Sequence, residues 1–167
     1  PKQTIHSIDF SPDGVLLASG SNTSLVQIWN SITGQHVQSL EDHTDFVRVV
    51  RFSPNGEQLI SGGRDEILRL WDIRQGAVVQ RFPPTTWTRA AAFHPTGNLL
   101  ASGGDDRLLY LWMRTQDGTF ALCASLAGHT DAIFGMAFNP DGTCLATSSG
   151  DRTIRLWKLL PPGRAGG

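Results

Sequence analysis

Short apolar runs alternate with polar turns along the whole chain. The runs are rich in Val, Ile, Leu and aromatic residues, and turn residues such as Pro, Asp, Asn and Gly return roughly every 8–12 residues. No stretch keeps the apolar period of an amphipathic helix. The pattern therefore predicts an all-β fold.

These runs form four copies of one unit. The turn sequences FSPDG, FSPNG, FHPTG and FNPDG begin at Phe10, Phe52, Phe93 and Phe138, and a tryptophan follows 19 residues after each phenylalanine. The steps between these tryptophans are 42, 41 and 45 residues. The extra residues of the last step follow Trp112, where MRTQDGTF predicts a longer hairpin loop. Each copy predicts four short antiparallel strands.

A four-stranded sheet that is apolar on both faces needs neighbours, and stacking such sheets side by side buries both faces. A repeat of about 40–45 residues is typical of the blades of a β-propeller. The predicted fold is an all-β propeller of four-stranded antiparallel blades, four in this chain. We expect a propeller segment over 1–160, with blades at about 1–41, 42–82, 83–126 and 127–160, and a flexible C-terminal tail at 161–167.

The fourth copy resembles a WD (Trp-Asp) repeat almost from end to end. Its sequence, GHTDAIFGMAFNPDGTCLATSSGDRTIRLWK, has the Gly-His pair, the Pro-Asp-Gly turn, the Asp before the third strand and the Trp. The second copy matches as well, with Asp42 in place of the glycine. The resemblance covers residues 1 to about 160 and implies a rigid platform for protein partners.

The resemblance also implies a structural hydrogen-bond tetrad in each blade. The complete sets are His43, Ser61, Asp65 and Trp71 in the second copy, and His129, Thr147, Asp151 and Trp157 in the fourth. The third copy keeps Ser102, Asp106 and Trp112 but has Pro84 at the histidine position, and the first keeps Ser19 and Trp29 but has Thr23 and Pro1 for the Asp and His. We expect the two incomplete blades to be less rigid.

A Ser–His–Asp set also suggests a nucleophilic triad. This set recurs in two copies and decays in the other two, which favours a packing role over one active site. No Gly-rich phosphate loop precedes a helix. His6, His36 and His94 have no companions at metal-ligand spacing, so we expect no metal and no cofactor.

The charge pattern bears on what the protein binds, and the cysteines bear on where it is located. The net charge is −1, from 14 scattered basic and 15 acidic residues, which argues against binding to nucleic acid or to an anionic membrane. No apolar stretch approaches the roughly 20 residues that span a bilayer. Cys123 and Cys144 lie in separate apolar runs and predict small buried side chains in a reducing compartment, hence a cytoplasmic protein.

The candidate partner site lies where the loops of neighbouring blades converge. Its residues are aromatic or arginine, the types that dominate interface hot spots: Phe46, Arg48, Arg64, Trp87, Arg89 and Phe134. Other interpretations stay open. Phe46 and Phe134 could cap the core, Trp87 could fill the space left by the missing histidine, and Arg48 and Arg89 could be solvated.

Two functions, which belong to different classes of protein, are compatible with the sequence. The first is a non-catalytic interaction scaffold or sensor, with a protein or peptide ligand on the loop face. The alternative is a propeller enzyme with an active site in the central channel. The innermost strands IHSIDF, VRVVRF, TRAAAF and IFGMAF offer Arg, His and Asp singly, without a carboxylate cluster. The sequence therefore favours the scaffold.

The last copy lacks its fourth strand. After Trp157 only KLL precedes PPGRAGG, whose prolines and glycines do not favour a strand, so the pattern predicts fifteen strands. We expect these blades to belong to a larger ring of seven or eight, completed by a longer chain, another subunit or a second copy. Because residue 1 is Pro1, the preferred expectation is an excerpt of a longer protein.

Overall fold

The structure, a computed structural model, describes residues 3–83 and 85–159, so Pro1, Pro84 and the predicted tail at 161–167 lie outside the described residues. Within these ranges the chain forms fifteen strands and no helix. The strands are β1 (Ile5–Phe10), β2 (Leu16–Ser21), β3 (Leu25–Asn30), β4 (His36–Glu41), β5 (Val47–Phe52), β6 (Gln58–Gly63), β7 (Arg69–Asp72), β8 (Ala77–Arg81), β9 (Thr88–Phe93), β10 (Leu99–Gly104), β11 (Leu109–Arg114), β12 (Phe120–Leu126), β13 (Ile133–Phe138), β14 (Cys144–Ser149) and β15 (Ile154–Lys158).

The strands form four antiparallel sheets, one for each copy of the repeat. Three sheets have four strands in the orders β1-β2-β3-β4, β5-β6-β7-β8 and β9-β10-β11-β12, and the last has β13-β14-β15. The innermost strands β1, β5, β9 and β13 contact one another in that succession. The predicted all-β class and the propeller arrangement of the blades are confirmed.

The turn after each innermost strand has one geometry in all four blades. Its glycine is Gly14, Gly56, Gly97 or Gly142, with φ angles of 73°, 75°, 74° and 74°. This left-handed conformation is unfavourable for residues with a Cβ atom. The repeated turn therefore explains why glycine closes each of the four motifs.

Buried apolar side chains fill the space between neighbouring blades in three clusters. Ile28 of the first blade packs with Trp71 of the second, and Leu109 of the third packs with Ile133 of the fourth. Between the second and third blades, the rings of Phe82 and Trp112 meet edge to face with centroids 4.9 Å apart. Each fully buried Leu, Ile or Phe stabilises the fold by about 1.5–3 kcal/mol relative to an exposed one.

The two faces at the ends of the stack are apolar but uncovered. On the last outer face, Ile154 and Leu156 of β15 are 74% and 70% exposed, whereas Leu70, at the repeat position of Leu156, is 0% exposed. On the first outer face, Ile5 and Ile8 of β1 are half-exposed. In the described part of the chain β13 makes no contact with β1 comparable to that between neighbouring blades. The four blades therefore leave two sheet faces unpartnered.

The structure corrects the prediction about the third hairpin. Its loop, 115–119, has five residues, as has the loop at 31–35 between β3 and β4. Relative to the first blade, β11 continues one residue further past its tryptophan, β12 is one residue longer than β4, and the third extra residue lies in the connection at 127–132. The two added strand residues extend the pairing, which satisfies backbone hydrogen bonds that a longer loop would leave to water.

The cysteine prediction is wrong for Cys123, whose residue is exposed, and Cys144 is only partly buried. Cys123 lies on the outermost strand β12, where alternate side chains point away from the neighbouring blade. Its apolar neighbours in the sequence are themselves exposed there, so an apolar run at the rim does not indicate burial.

Candidate functional site

Each innermost strand contains a β-bulge near its start. The pairing with the second strand of the blade skips one residue in each case: His6, Arg48, Arg89 and Phe134. All four lie 23 residues before the tryptophan of their blade. A bulge leaves one residue outside the ladder and re-aims its side chain. The fold therefore gives four corresponding side chains the same special placement at one end of the blades.

Two glycines, Gly63 and Gly104, allow the backbones of Phe46 and Trp87 to come close to the end of the second strand of the same blade. A Cβ atom on Gly63 would lie 1.9 Å from the carbonyl oxygen of Phe46, and one on Gly104 would lie 1.9 Å from that of Trp87. The Phe46 carbonyl accepts a hydrogen bond of 3.0 Å from the backbone N–H of Arg64. The turn between the second and third strands is thus fixed beside the aromatic residue.

Arg64 joins the second blade to the third by stacking between two aromatic rings. Its guanidinium carbon lies 5.0 Å from the ring centroid of Phe46 and 4.3 Å from that of Trp87. Both aromatic residues are half-buried. A guanidinium over an aromatic face is attracted by the ring quadrupole, so this contact holds Arg64 in place.

Arg89 makes the corresponding link between the third and fourth blades. It forms an ion pair with Asp105, with 3.2 Å between Nη2 and Oδ2, and its guanidinium carbon lies 5.2 Å from the ring centroid of Phe134. Phe134 is 53% exposed. Asp105 holds the place in the third blade that Arg64 holds in the second, seven residues before the tryptophan.

Arg48 contacts the first blade. Its Nη1 donates a 3.4 Å hydrogen bond to Nδ1 of His6, and the His6 ring lies 6.3 Å from the ring of Phe46. Burial lowers the pKa of His6, and the charge of Arg48 lowers that pKa further. A neutral imidazole that accepts at Nδ1 carries its hydrogen at Nε2. His6 therefore presents a donor to this end of the blades.

We call these residues the loop-face cluster; it consists of His6, Phe46, Arg48, Arg64, Trp87, Arg89, Asp105 and Phe134. The structure brings all six predicted partner-site residues into it. Sequence reasoning missed His6 and Asp105. The repeat register could have found both, because His6 aligns with Arg48, and Asp105 aligns with Arg64.

The tetrad residues of the second blade form a continuous hydrogen-bond chain. Trp71 Nε1 donates to Ser61 Oγ at 2.7 Å, Ser61 Oγ lies 2.7 Å from His43 Nε2, and His43 Nδ1 lies 2.9 Å from Asp65 Oδ2. Since Ser61 accepts from Trp71, its hydroxyl can donate to Nε2. His43 Nδ1 also lies 2.7 Å from Nη1 of Arg69, so a carboxylate and a guanidinium both contact this ring nitrogen. The chain satisfies every polar side chain in this buried layer.

The fourth blade repeats the arrangement. Trp157 Nε1 donates to Thr147 Oγ1 at 2.9 Å, Thr147 Oγ1 lies 2.8 Å from His129 Nε2, and His129 Nδ1 lies 2.8 Å from Asp151 Oδ2. Asp151 also accepts from Thr153, and this hydrogen bond is the main reason that its pKa is held well below the ordinary range. Threonine thus replaces serine without a change in the hydrogen-bond pattern.

A buried arginine extends the tetrad of the second blade and explains the departure at Asp42. Arg69, only 3% exposed, pairs with Asp65 at 2.8 Å and also with Asp42, which Arg81 contacts as well. Hydrogen bonding to Arg81, and then to Arg69, holds the pKa of Asp42 well below its ordinary value. Asp42 therefore acts as the counterion of Arg69, which sequence reasoning did not identify.

The third blade substitutes a tyrosine for part of its tetrad. The Tyr110 hydroxyl donates to Asp106 Oδ2 at 2.6 Å, and Trp112 Nε1 donates to Ser102 Oγ at 2.9 Å. Burial and the hydrogen bond to Asp106 raise the pKa of Tyr110 to about 12. Asp106 thus has a donor from its own blade.

The first blade keeps only the indole end of the tetrad. Trp29 Nε1 donates to Ser19 Oγ at 3.0 Å, and Thr23, at the Asp position, has its hydroxyl 2.8 Å from that of Ser21. An uncharged hydroxyl thus stands at the Asp position of this blade.

The geometry gives a nucleophilic triad no access to a substrate. Ser61 is 0% exposed, and its hydroxyl lies within hydrogen-bond distance of both Trp71 and His43. Among the residues that the structure describes, no three His, Cys, Asp or Glu side chains are grouped as a metal site would need. No helix in the described ranges is long and apolar enough to cross a membrane.

Comparison with known proteins places the repeats in a family. The family model described as "WD domain, G-beta repeat" matches this chain four times, at residues 1–30, 34–72, 77–113 and 120–158. These four segments cover most of the chain. The first spans β1 to β3, and each later segment begins with the outermost strand of one sheet and continues through the first three strands of the next.

Curated relatives match over about one repeat. A "Probable serine/threonine-protein kinase PkwA" from Thermomonospora curvata is 45% identical over 42 residues, which are 25% of this chain and 6% of the kinase. The "WD repeat and SOCS box-containing protein 1" of Danio rerio and that of Takifugu rubripes are each 44% identical over 43 residues, 26% of this chain and 10% of each relative. The chain thus matches only a small part of each relative.

The four matches to the family model cover far more than half of the sequence, and each sheet carries the strand order and the indole hydrogen bond described above. The chain therefore belongs to the WD-repeat family of β-propeller proteins.

Proposed function

We propose that this chain is a non-catalytic scaffold or sensor that binds a protein or peptide through the loop-face cluster. The observation that carries the proposal is the stack of Phe46, Arg64 and Trp87, continued by Arg89 and Phe134, along the convergent ends of three blades. Aromatic and arginine side chains are the residue types that most often anchor protein interfaces. WD-repeat proteins typically bind protein partners, and the family is generally non-catalytic.

The same cluster argues for contact rather than for core packing. Phe134 is half-exposed, and Phe46 and Trp87 each leave part of the ring accessible while stacking on Arg64. These rings are held by an arginine instead of by an apolar core. An interface anchor needs this combination of a rigid ring and an accessible edge.

The test is a titration of a partner isolated on the full chain. We expect Trp87→Ala to cost at least about 1 kcal/mol of binding free energy, and Trp87→Ala with Arg89→Ala to cost more. The matched control is Val79→Ala, which removes a 44% exposed side chain from the outermost strand β8. Undiminished affinity in the double variant, with a loss in Val79→Ala, would place the interface on the rim.

We also propose that further blades cover the two outer faces, so that the chain forms part of a larger ring of seven or eight blades. The proposal rests on Ile154, Leu156, Ile5 and Ile8, which are exposed at positions that face a neighbouring blade elsewhere. Exposed apolar sheet faces promote association. The covering blades come from a longer chain, another subunit or a second copy.

Mass in solution tests this second proposal. Light scattering that gives about twice 18.2 kDa supports two copies in an eight-bladed ring. A monodisperse, fully folded monomer of 18.2 kDa contradicts the need for covering blades.

A further inference from the structure

Two guanidinium groups of the second blade lack an anionic partner. In the third blade, the bulge residue Arg89 pairs with Asp105 of the turn between the second and third strands. In the second blade, the same two repeat positions hold Arg48 and Arg64. Within residues 3–83 and 85–159, neither has a carboxylate at ion-pair distance. The third blade is therefore neutral at these two positions, whereas the second blade carries two positive charges there.

The unsatisfied donors of the structure are concentrated at the same place. Three buried side-chain nitrogens of the described residues have no hydrogen-bond partner: His6 Nε2, Arg48 Nε and Arg64 Nε. All three belong to the loop-face cluster. Buried donors are almost always satisfied, and an unsatisfied one destabilises the fold. Their grouping shows that the loop-face cluster is the place where the polar groups of the described residues are least well satisfied within the chain.

The two carboxylates that contact the ends of β5 are engaged with backbone donors. Asp45 Oδ1 accepts a 2.6 Å hydrogen bond from the N–H of Phe46, and Asp9 Oδ2 accepts one of 2.7 Å from the N–H of Phe52. Each anchors the start or the end of β5 to its surroundings. Neither serves as the counterion of Arg48 or Arg64.

Stacking prepares Arg64 for one type of ligand. The aromatic rings of Phe46 and Trp87 hold the guanidinium by its faces, so its N–H groups are left to point along its edges. The edge of a guanidinium matches the two oxygens of a carboxylate, and a fork that is already held in place loses little side-chain entropy on binding. The rings beside it offer apolar surface to the aliphatic part of the same ligand.

We infer that Arg48 and Arg64 bind the Asp or Glu side chains of an acidic peptide segment, which lies across Phe46 and Trp87. The inference rests on the proposed function, since it takes the loop-face cluster as the docking surface, and it adds the chemistry of the partner. Arg64 provides the bidentate contact through its terminal N–H groups, and Arg48 binds a second acidic group of the segment.

The test is a selection of random twelve-residue peptides displayed on phage, performed on the full chain. We expect the selected peptides to be enriched in Asp and Glu. The enrichment should disappear with Arg48→Gln and Arg64→Gln combined, and it should persist with Arg74→Gln, which removes an equal charge from an exposed turn after β7. Thermal melts of each variant verify that the fold is retained, and Arg64→Lys, which keeps the charge, serves as a second variant.

A selected peptide is then synthesised with a fluorescent label for titration by anisotropy. Arg64→Gln should weaken its binding at least tenfold, Arg64→Lys less, and Arg74→Gln less than twofold. Replacing Glu by Gln in the peptide should abolish binding, whereas phosphoserine in place of Glu tests whether phosphate can substitute. Binding only to the phosphoserine form would overturn the assignment of carboxylates.

The two proposals fail in different ways. Peptides without acidic enrichment whose binding is lost in Trp87→Ala would overturn the inference and leave the proposed docking surface intact. Peptides unaffected by Trp87→Ala and by Arg64→Gln alike would overturn both. Failure to select any peptide would overturn the inference, and the partner titration would still decide the proposed function.

Discussion

Sheet faces that lie between two blades and sheet faces at the ends of the stack carry the same kinds of apolar side chain. They differ in burial, because only the faces between blades are covered. Leu70, in the second blade, is 0% exposed because the third blade covers it, whereas Leu156 occupies the same repeat position in the fourth blade and is 70% exposed. Val47 and Ile5 show the same contrast at the other end of the stack. The repeat thus fixes the apolar character of a position, and the neighbouring blade decides whether that position becomes core.

The tryptophans of the tetrads also depend on a neighbouring blade for burial, but less strongly than the apolar residues do. Trp71 is 1% exposed, whereas Trp157 and Trp29, in the two end blades, are half-buried, although all three donate an indole hydrogen bond within their own blade. The residues of a tetrad lie within one copy of the repeat, so the tetrad of the fourth blade persists beside an uncovered face. The apolar contacts that bury the tetrad come from a neighbouring blade.

The largest expected effect tests the contrast in the apolar layer. Leu70→Ala should lower the free energy of unfolding by about 2–5 kcal/mol, because it removes a fully buried side chain and leaves a cavity. Leu156→Ala should change it by less than about 0.5 kcal/mol, since most of that side chain already faces solvent. Urea unfolding of both variants measures the difference. An equal loss in Leu156→Ala would show that the last outer face is covered in solution.

A smaller effect should separate the tetrads. Trp71→Phe and Trp157→Phe each remove an indole donor, which leaves Ser61 or Thr147 with one partner fewer, at a cost of about 1–3 kcal/mol. We expect the loss in Trp71→Phe to lie near the upper end, because this indole is also fully covered by a neighbouring blade. Thermal melts that show no loss in either variant would remove the structural role of both tetrads.

The repeat spacing predicted the strands, since turn glycines and the tryptophans of the third strands are local signals. The tetrads could be predicted for the same reason, because the residues of each lie within one copy of the repeat. Arg69 and Tyr110 could not, because both depend on what fills the space beside the Asp of the particular blade. The bulges left a trace in VRVVRF, where Val49 and Val50 are both buried and the two-residue alternation breaks. The contact of Arg64 with Phe46 and Trp87 arises between blades, so the sequence could nominate these residues but not the way they touch.

The smallest expected effect is the pH dependence of stability that comes from the tetrad of an inner blade. Burial lowers the pKa of His43 below its ordinary value of 6.5; the hydrogen bond to Asp65 opposes this, and the charge of Arg69 adds to it. Below that value the unfolded chain binds a proton at His43 that the folded chain does not, so stability falls as the pH decreases. The slope from this residue cannot exceed about 1.4 kcal/mol per pH unit. The carboxylates whose pKa values are lowered, Asp42 and Asp65, lose their contribution only at more acidic pH. Burial raises the pKa of Asp9, which acts in the opposite direction, so the contribution of His43 is identified by its own variant.

The measurement is a series of urea unfolding curves between about pH 7 and pH 5 for the unmodified chain and for His43→Gln. We expect the unmodified chain to lose stability toward pH 5, and His43→Gln to show a flatter profile. Burial also lowers the pKa of His6, which acts in the same direction, so the series is repeated with His6→Asn in both backgrounds. A profile that His43→Gln leaves unchanged, or stability that rises as the pH falls, would contradict a neutral His43 held between Ser61 and Asp65. Stability that rises through His43 as the pH falls would mean that the buried polar layer of the second blade holds an imidazolium, whose two ring nitrogens both donate, so that Ser61 would accept from Nε2.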